Sequence, residues 1–585
     1  MVSTNHAEMV SRKQTQLAYR AKSRETGDTE QQFTALYGLL LWEPWLEVAL
    51  EQVLSNTGAK TPGVDGITKE DLKSEKNQKA LLDKLRDELR TEQYRPQPAK
   101  RVYIPKANGD KRPLGIPTIR DRVVQAAVKN LLEPIFEVNF EDCSYGFRPN
   151  RNCWDALAEI GQYVKRPSNY EWVVEGDIQD CFGSIDHKVL MRQIRRRIKD
   201  PRLLTLIWHL LKAGVMEDLR YYDTEAGTPQ GGIVSPLLAN IYMHQLDEWA
   251  AQRSHRLTER QKGYRRSKGQ ASLRLTRYAD DFTIAVKGTR EQAEEIKAEV
   301  AEYLATTMRM SLSLEKTRIT HRTEGFDFLG ITVRYGKSWS RKDKDGNELE
   351  YVYFVPSRKA IRRYKAKTKE LTSKKTDQVN TVEVIRAYNR FNKGWVNYYR
   401  HANSAKLFET LDHWTWWTIF QWLQHRYETG PREIATRNWV EAKTPINRHP
   451  TRNDRRLGAW DAEDRHLAIE MLAFTAIRYW KYRGSRIPQK FEGVKSNRKL
   501  PEIPSYATQP WTEGENPHSR TESRNAREIV RQRDNGTCQK CGIDASLTGE
   551  VHHIDGNARN NDLDNLELLC RRCHKSTTSY GRHKV

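Results

Sequence analysis

A chain of 585 residues is long enough for several domains. Its 37% hydrophobic content supports packed cores, under the very polar surface implied by a mean hydropathy of −0.82. No apolar run approaches the length that spans a bilayer, and the polar N-terminus lacks the regions of a signal peptide, so a membrane or secreted role is not expected. The 99 Lys and Arg against 76 Asp and Glu leave a formal net charge of +23; so one-sided an imbalance makes a polyanion the natural partner.

In chain order, residues 1 to about 30 are polar with little periodicity, and a mobile arm is expected there. From Phe33 the pattern turns helical through Leu36, Leu39, Leu40 and Trp45 to Leu54. Thr61 to Thr68 reads as a turn-rich loop, and Leu81, Leu82, Leu85 and Leu89 mark a second helix. Arg101 to Pro117 reads as a hairpin with Asn108-Gly109-Asp110 at its turn and cations on both flanks. Such a ribbon suits a solvated surface and a triphosphate grip equally. A helix through Val124, Val128 and Leu131 follows.

Val173-Val174-Glu175-Gly176-Asp177 is an apolar strand that ends in an acid. Further on, the alternating run Leu273-Arg274-Leu275-Thr276 and the apolar run Phe282-Thr283-Ile284-Ala285-Val286 place Asp280-Asp281 at the tip of a hairpin. Adjacent carboxylates repel unless a cation neutralises them, and oxygen ligands of this kind suit Mg²⁺. Alone, the pair would be a solvated turn. With Asp177 it makes three carboxylates, the set that clamps two metals for phosphoryl transfer. Between them, Gly227-Thr228-Pro229-Gln230-Gly231-Gly232 is either a tight loop before a helix or a place where backbone approaches a nucleotide closely. Ser235-Pro236 suits the start of the helix that follows. Ala293, Ile296, Val300 and Leu304 then give an amphipathic helix, and Leu312 to Thr317 and Phe326 to Ile331 read as strands.

The ordered blocks from about 60 to 335 resemble the fingers and palm of a reverse transcriptase. Ser144-Tyr145-Gly146-Phe147-Arg148-Pro149 and the Pro-Gln-Gly block resemble the group II intron-encoded family in particular. That resemblance implies that Asp177, Asp280 and Asp281 hold two Mg²⁺, helped by the carbonyl of Ile178. It implies that Lys106 and Arg112 contact the incoming nucleotide, that Gln230 lies against it, and that Phe182 excludes a ribose 2′-OH, which makes dNTPs the substrates. From Ser357 the chain becomes basic and aromatic. Ala387 to Arg400 interleaves rings with cations, as a surface that stacks on bases and neutralises phosphates requires; an amphipathic helix with core rings and solvated cations has the same pattern. This stretch resembles the family's thumb, or maturase (X) domain, which implies that Arg390, Lys393, Tyr398 and Arg400 grip intron RNA. By place and charge, residues 446–520 correspond to a DNA-binding region and linker.

Of seven Cys, Cys143, Cys153 and Cys181 are scattered, the pattern of a reducing compartment. The other four form two CxxC knuckles, Cys538/Cys541 and Cys570/Cys573, the arrangement of a structural Zn²⁺ site. The knuckles with His552-His553 between them, and His574 after, resemble a four-cysteine HNH nuclease. The resemblance implies His553 as general base, His552 and His574 as ligands of one divalent metal, and Asn565 as a brace. A knuckle that only binds DNA would explain the Cys but not the three His.

The fold expected is multidomain α+β: right-hand fingers and palm with an antiparallel sheet, an α-helical thumb (X) domain, a basic DNA-binding segment and a small ββα-metal HNH domain with a four-cysteine zinc site. The expected limits are 1–58 for an N-terminal arm and helical extension, 59–345 for fingers and palm, 346–445 for the thumb, 446–520 for the DNA-binding region and linker, and 521–585 for the nuclease. The implied function is that of a bacterial-type, cytoplasmic ribonucleoprotein component: an RNA-directed DNA polymerase, a maturase for group II intron RNA and an endonuclease that nicks target DNA at the nucleoid. Two other classes stay open, a splicing chaperone with an inactive polymerase site and an unrelated HNH nuclease.

Overall fold

The computed structural model of the protein describes residues 4–22, 31–105, 111–217, 220–222, 227, 231–313, 315–342, 346, 348–373, 376, 378–441, 455–460, 466–487, 490–491, 530, 533–534, 537–541, 550–553, 566–570 and 573. They fall in two compact units, Met1–Tyr506 and Ala507–Val585.

The first unit is built around an antiparallel sheet whose strands run Ser272–Tyr278, Asp281–Lys287, Trp172–Gly176 and Arg318–His321 across its width. Its apolar face, with Val174, Leu273, Leu275, Ile284 and Val286, is buried in one large core with the helices Ile119–Glu137, Ser235–Gln252 and Arg290–Met308. The last of these begins at a Thr289–Gln292 capping box and buries Ala293, Ile296, Val300, Leu304 and Met308 along one stripe, which is the period of an amphipathic helix. The expected basic hairpin pairs Ala99–Pro105 with Lys111–Ile116, and Val215–Glu217 and Arg220–Tyr222 extend it to four strands.

Three local expectations are corrected. The arm is a helix from Thr4 to Lys22, with Val10, Leu17, Ala18 and Ala21 buried. Its inner row includes the polar Gln14, whose amide donates to the Asn130 carbonyl at 2.8 Å, and a row of small and polar residues carries little hydrophobic signal. The helix expected from Phe33 to Leu54 is split into a 3₁₀ turn, Tyr37–Leu41, and a helix, Glu43–Ser55, because Pro44 opens a new helix rather than continuing the old one. Among the described residues of 312–317 only Leu312 pairs, through one bridge to Ile178; Thr317 N donates to Ser313 O, and the strand starts at Arg318.

Downstream, the helices Arg358–Leu371, Thr381–Tyr399 and Ala405–Tyr427 pack around Tyr364, whose buried hydroxyl meets Tyr388 Oη and Asn392 Oδ1 at 3.0 Å. A three-stranded sheet, Trp439–Glu441, Arg455–Trp460 and His466–Ala468, adds Leu457 and Ala459 to the core of the helices, joined by Ile469 just after its last strand. Both oxygens of Asp412 accept from the Leu472 and Ala473 amides, and the segment that follows is pinned where Trp480 and Arg483 donate to Asp155. Among the described residues no helix is long and apolar enough to cross a membrane.

In the second unit, the strands Glu550–His553 and Leu566–Leu569 form an antiparallel pair, and Val530, Leu568 and Leu569 pack with the buried Cys538 and Cys570.

Candidate functional site

The central strand of the large sheet delivers Asp177 directly after Gly176, which pairs with Phe282, so this acid stands beside the hairpin tip that carries Asp280 and Asp281. The turn needs help. Ala279 adopts φ 60, in the left-handed region that costs a non-glycine residue energy, and something must hold it there.

That anchor is Arg277, fully buried at the end of its strand. Its guanidinium donates to both oxygens of Asp247 at 2.7 and 2.6 Å, to Asn240 Oδ1 at 3.1 Å, to Ser144 Oγ at 2.7 Å and to the Ala279 carbonyl at 2.9 Å. Burial alone would raise the Asp247 carboxyl, but the charge and hydrogen bonds of Arg277 overcome it and hold the acid at about 2. Behind the turn lies Gly146, where an added Cβ would come within 2.3 Å of Ala279 N. Arg277, Asp247 and Gly146 were not singled out by sequence reasoning. A signal existed: Asn240 and Asp247 are seven residues apart on one helix, and so share its face.

The site is electrostatically strained in favour of a cation. Asp281 is exposed, yet the surrounding protein weakens its solvation and Asp280 and Asp177 add like charge, which together push it up to about 6. Lys316 Nζ lies 2.9 Å from Asp177 Oδ2, and this hydrogen bond and charge raise the lysine. The three carboxylates fit a divalent ion by this chemistry. Ile178 is buried behind Asp177, and Phe182 is half-buried in the turn that follows. Gly227 packs its backbone against that same turn, with a Cβ position 3.0 Å from Phe182 O, and Gly231, at φ 112, lies against Gly115 O of the basic hairpin. Gly227 thus meets the Phe182 turn, and Gly231 meets the hairpin. Lys106 and Gln230, and the side chain of Arg112, lie outside the described residues.

On the helix Thr381–Tyr399, Arg390 and Lys393 are exposed. Tyr398 donates its hydroxyl to Leu329 O at 2.7 Å, and Arg400, partly exposed, donates to Ala476 O at 3.0 and 3.2 Å, so both also brace the fold.

In the second unit the sulfurs of Cys538, Cys541, Cys570 and Cys573 all lie within 4.8 Å of one another. A zinc about 2.3 Å from each sulfur sets them about 3.8 Å apart, so the cluster fits that ion. Among the described residues this is the one group of three or more candidate ligands drawn so tightly together. Against the effect of burial, amide donors from Cys570, Lys540 and Cys541 pull Cys538 down to about 6, toward the thiolate a metal requires. His552 is buried on its strand; the side chain of His553, and Asn565 and His574, lie outside the described residues.

Three family models match the chain: reverse transcriptase (RNA-dependent DNA polymerase) at residues 104–333, the group II intron maturase-specific domain at 361–439, and HNH endonuclease at 538–579. The chain is similar to the group II intron-encoded protein LtrA of Lactococcus lactis subsp. cremoris, 35% identical over 66% of this chain and 73% of that protein. It is also similar to protein YkfC of Escherichia coli (strain K12), 38% identical over 56% of this chain and 88% of that one. A putative COX1/OXI3 intron 2 protein of Saccharomyces cerevisiae is 29% identical over 49% of this chain and 38% of its own length. Reverse transcriptase and HNH domains work with metal ions, and the reverse transcriptase and maturase domains imply binding of intron RNA and DNA. With polymerase, maturase and nuclease domains on one polypeptide, the chain belongs to the group II intron-encoded proteins.

Proposed function

We propose that the two enzymatic centres act in sequence by target-primed reverse transcription, within a ribonucleoprotein of the bacterial-type cytoplasm whose target lies in the nucleoid. The HNH unit nicks target DNA, and the 3′-OH so exposed primes DNA synthesis by the palm on bound intron RNA. The observation that carries this reading is the juxtaposition of Asp177 with the Asp280-Asp281 turn, locked by Arg277, in a chain that also ends in a four-cysteine cluster.

In the palm, Asp177, Asp280 and Asp281 would hold Mg²⁺, which when bound lowers the barrier to attack of the primer 3′-oxygen on the dNTP. Phe182, flanked by the glycine loop, would close the space a 2′-OH needs, and Lys106, Arg112 and Gln230 would contact the nucleotide, with the Ile178 carbonyl beside the metals. In the nuclease, His553 would take the proton from the attacking water, His552 and His574 would hold a divalent ion, Asn565 would brace the loop, and Zn²⁺ on the four Cys would fix the unit. In splicing the protein's part is to neutralise RNA, with Arg390 and Lys393 on an exposed face. The domain limits proposed are 1–58, 59–345, 346–445, 446–520 and 521–585.

The test is extension of a DNA primer on an RNA template with dNTPs and Mg²⁺, comparing wild type, Asp280→Ala/Asp281→Ala and His553→Ala. Synthesis lost only in the first variant supports the reading. A well-folded wild type that makes no DNA refutes the polymerase assignment.

A further inference from the structure

Between the palm and the thumb helices, all within the first unit, lies an aromatic cleft of about 610 Å³ that no step above uses. Its floor is Trp154, with Phe354 edge-on at 6.1 Å, and His401, which stands edge-on to both Trp154 and Trp480 at 5.5 and 5.0 Å. The polar tips of these rings are already engaged: Trp154 Nε1 donates to Tyr398 O, Trp480 Nε1 to Asp155, and His401 Nδ1 meets Arg478 O. Asn403 exchanges hydrogen bonds with the backbone of Phe354. The walls are therefore fixed in place, with flat faces and apolar edges as the binding surface.

At the rim, Tyr479 is 67% exposed and so offers a ring on which a base can stack, and Arg334 lies over the Tyr353 ring at 5.9 Å. Arg334, in the lining, and Arg478 and Lys481, which flank Tyr479-Trp480 in sequence, are exposed, while Lys337 pairs with Glu348 at 3.6 Å. The lining carries no carboxylate, and the acids next to it in sequence are engaged: Asp155 is buried against Arg483, Glu159 accepts from Tyr145 and Tyr163, and Glu350 accepts from Tyr335 Oη with Arg166 at 3.4 Å. A ligand that matches must be flat, apolar on its faces and anionic at its edge, and the volume falls in the range of about 300–1,000 Å³ that holds a small organic molecule.

We propose that this cleft takes an unstacked nucleotide of single-stranded RNA: a base stacked among Tyr479, Tyr353 and the Trp154–His401–Trp480 group, its phosphates near Arg334 and Arg478. Stacking of a splayed base on aromatic and guanidinium planes is the usual way a protein reads unpaired RNA. The proposal rests on the reading that the protein binds intron RNA, and adds a discrete subsite about a base, distinct from the charged face of Arg390 and Lys393.

The test uses the full chain with a short oligouridylate bearing one 5-iodouridine, read by fluorescence anisotropy and by photo-crosslinking with peptide mapping. Tyr479→Ala, and separately Arg334→Ala, are expected to weaken binding about tenfold, the size of one lost base–aromatic stack. Tyr479→Phe is expected to bind within about twofold of wild type, since the ring face is kept. Crosslinks are expected in the peptides that hold Tyr351–Phe354 or Tyr479–Trp480, while primer extension on a preformed RNA–DNA duplex is unchanged in every variant. Equal binding by wild type and Tyr479→Ala, with crosslinks confined elsewhere, overturns the cleft and leaves RNA binding standing. A wild type that does not bind the oligouridylate overturns both. Tighter binding of the matching deoxyoligonucleotide overturns the choice of RNA.

Discussion

Replacing Asp247 by Asn tests whether the Asp-Asp turn is held from beneath. Both members of the Arg277–Asp247 pair are wholly buried, and the guanidinium makes two of its five hydrogen bonds to this carboxylate. The amide of Asn retains one acceptor and turns its N–H₂ toward another donor, so the guanidinium is left with its charge uncompensated. Breaking a buried pair in this way costs about 3–5 kcal/mol. The pH dependence sets a second, independent scale. A native value of about 2 for Asp247 against an ordinary 3.8 corresponds to about 2 kcal/mol. Because the native value is depressed, that stabilisation is complete above about pH 4 and is lost as pH falls toward 2. Urea unfolding followed by tryptophan fluorescence at pH 7 and along an acid series measures both. Asp247→Asn should unfold at lower urea at pH 7, and its deficit against wild type should narrow below pH 4. A loss under about 1 kcal/mol at pH 7, or a deficit unchanged at pH 3, would refute the argument that this pair holds the turn.

Four further outcomes are expected. Gly146→Ala sets a Cβ against Ala279 N and should displace the acids by enough to lower primer extension about 100-fold, with circular dichroism unchanged. Glu159 is buried and takes hydrogen bonds from Tyr145 and Tyr163, and burial lifts it to about 7. Since its native value is raised, wild-type stability should fall as pH rises from about 4.5 to 7, and Glu159→Gln should flatten that slope in the same urea series. Cys570→Ser should release zinc, measured by a chelating dye, and abolish nicking while primer extension persists, because the four Cys lie in the unit separate from the palm. Phe182→Ala should raise incorporation of ribonucleotides relative to dNTPs, measured on a denaturing gel.

The palm was legible because its signals are strong and local. Alternating and apolar runs flank Asp280-Asp281, and strands there pair as that pattern requires; the stripe Ala293, Ile296, Val300, Leu304 is helical as read. The Cys spacing likewise anticipated sulfurs gathered at one point. What escaped were features whose meaning lies in three dimensions. Arg277 has no role of its own in the local pattern, and only the packing of Ser144, Asn240 and Asp247 around it shows a buried anchor. The first helix escaped because Gln14 and two Ala occupy its inner face. The resemblance sets Tyr398 and Arg400 beside Arg390, and their hydrogen-bond partners, Leu329 and Ala476, lie 69 and 76 residues away in sequence, out of reach of any local pattern.

The order of strands in the palm also imposes a timetable on its synthesis. Trp172–Gly176 leaves the ribosome with neither of its neighbours made, since Asp281–Lys287 and Arg318–His321 come later in the chain. At about 5–20 residues per second, the hundred-odd residues between them take roughly 5–20 s. Throughout that interval an apolar strand waits with both edges open, the condition that invites pairing with another nascent chain. A polypeptide ended between Asp177 and His321 would carry Asp177 on a strand whose sheet is incomplete, so abortive translation yields a product prone to association.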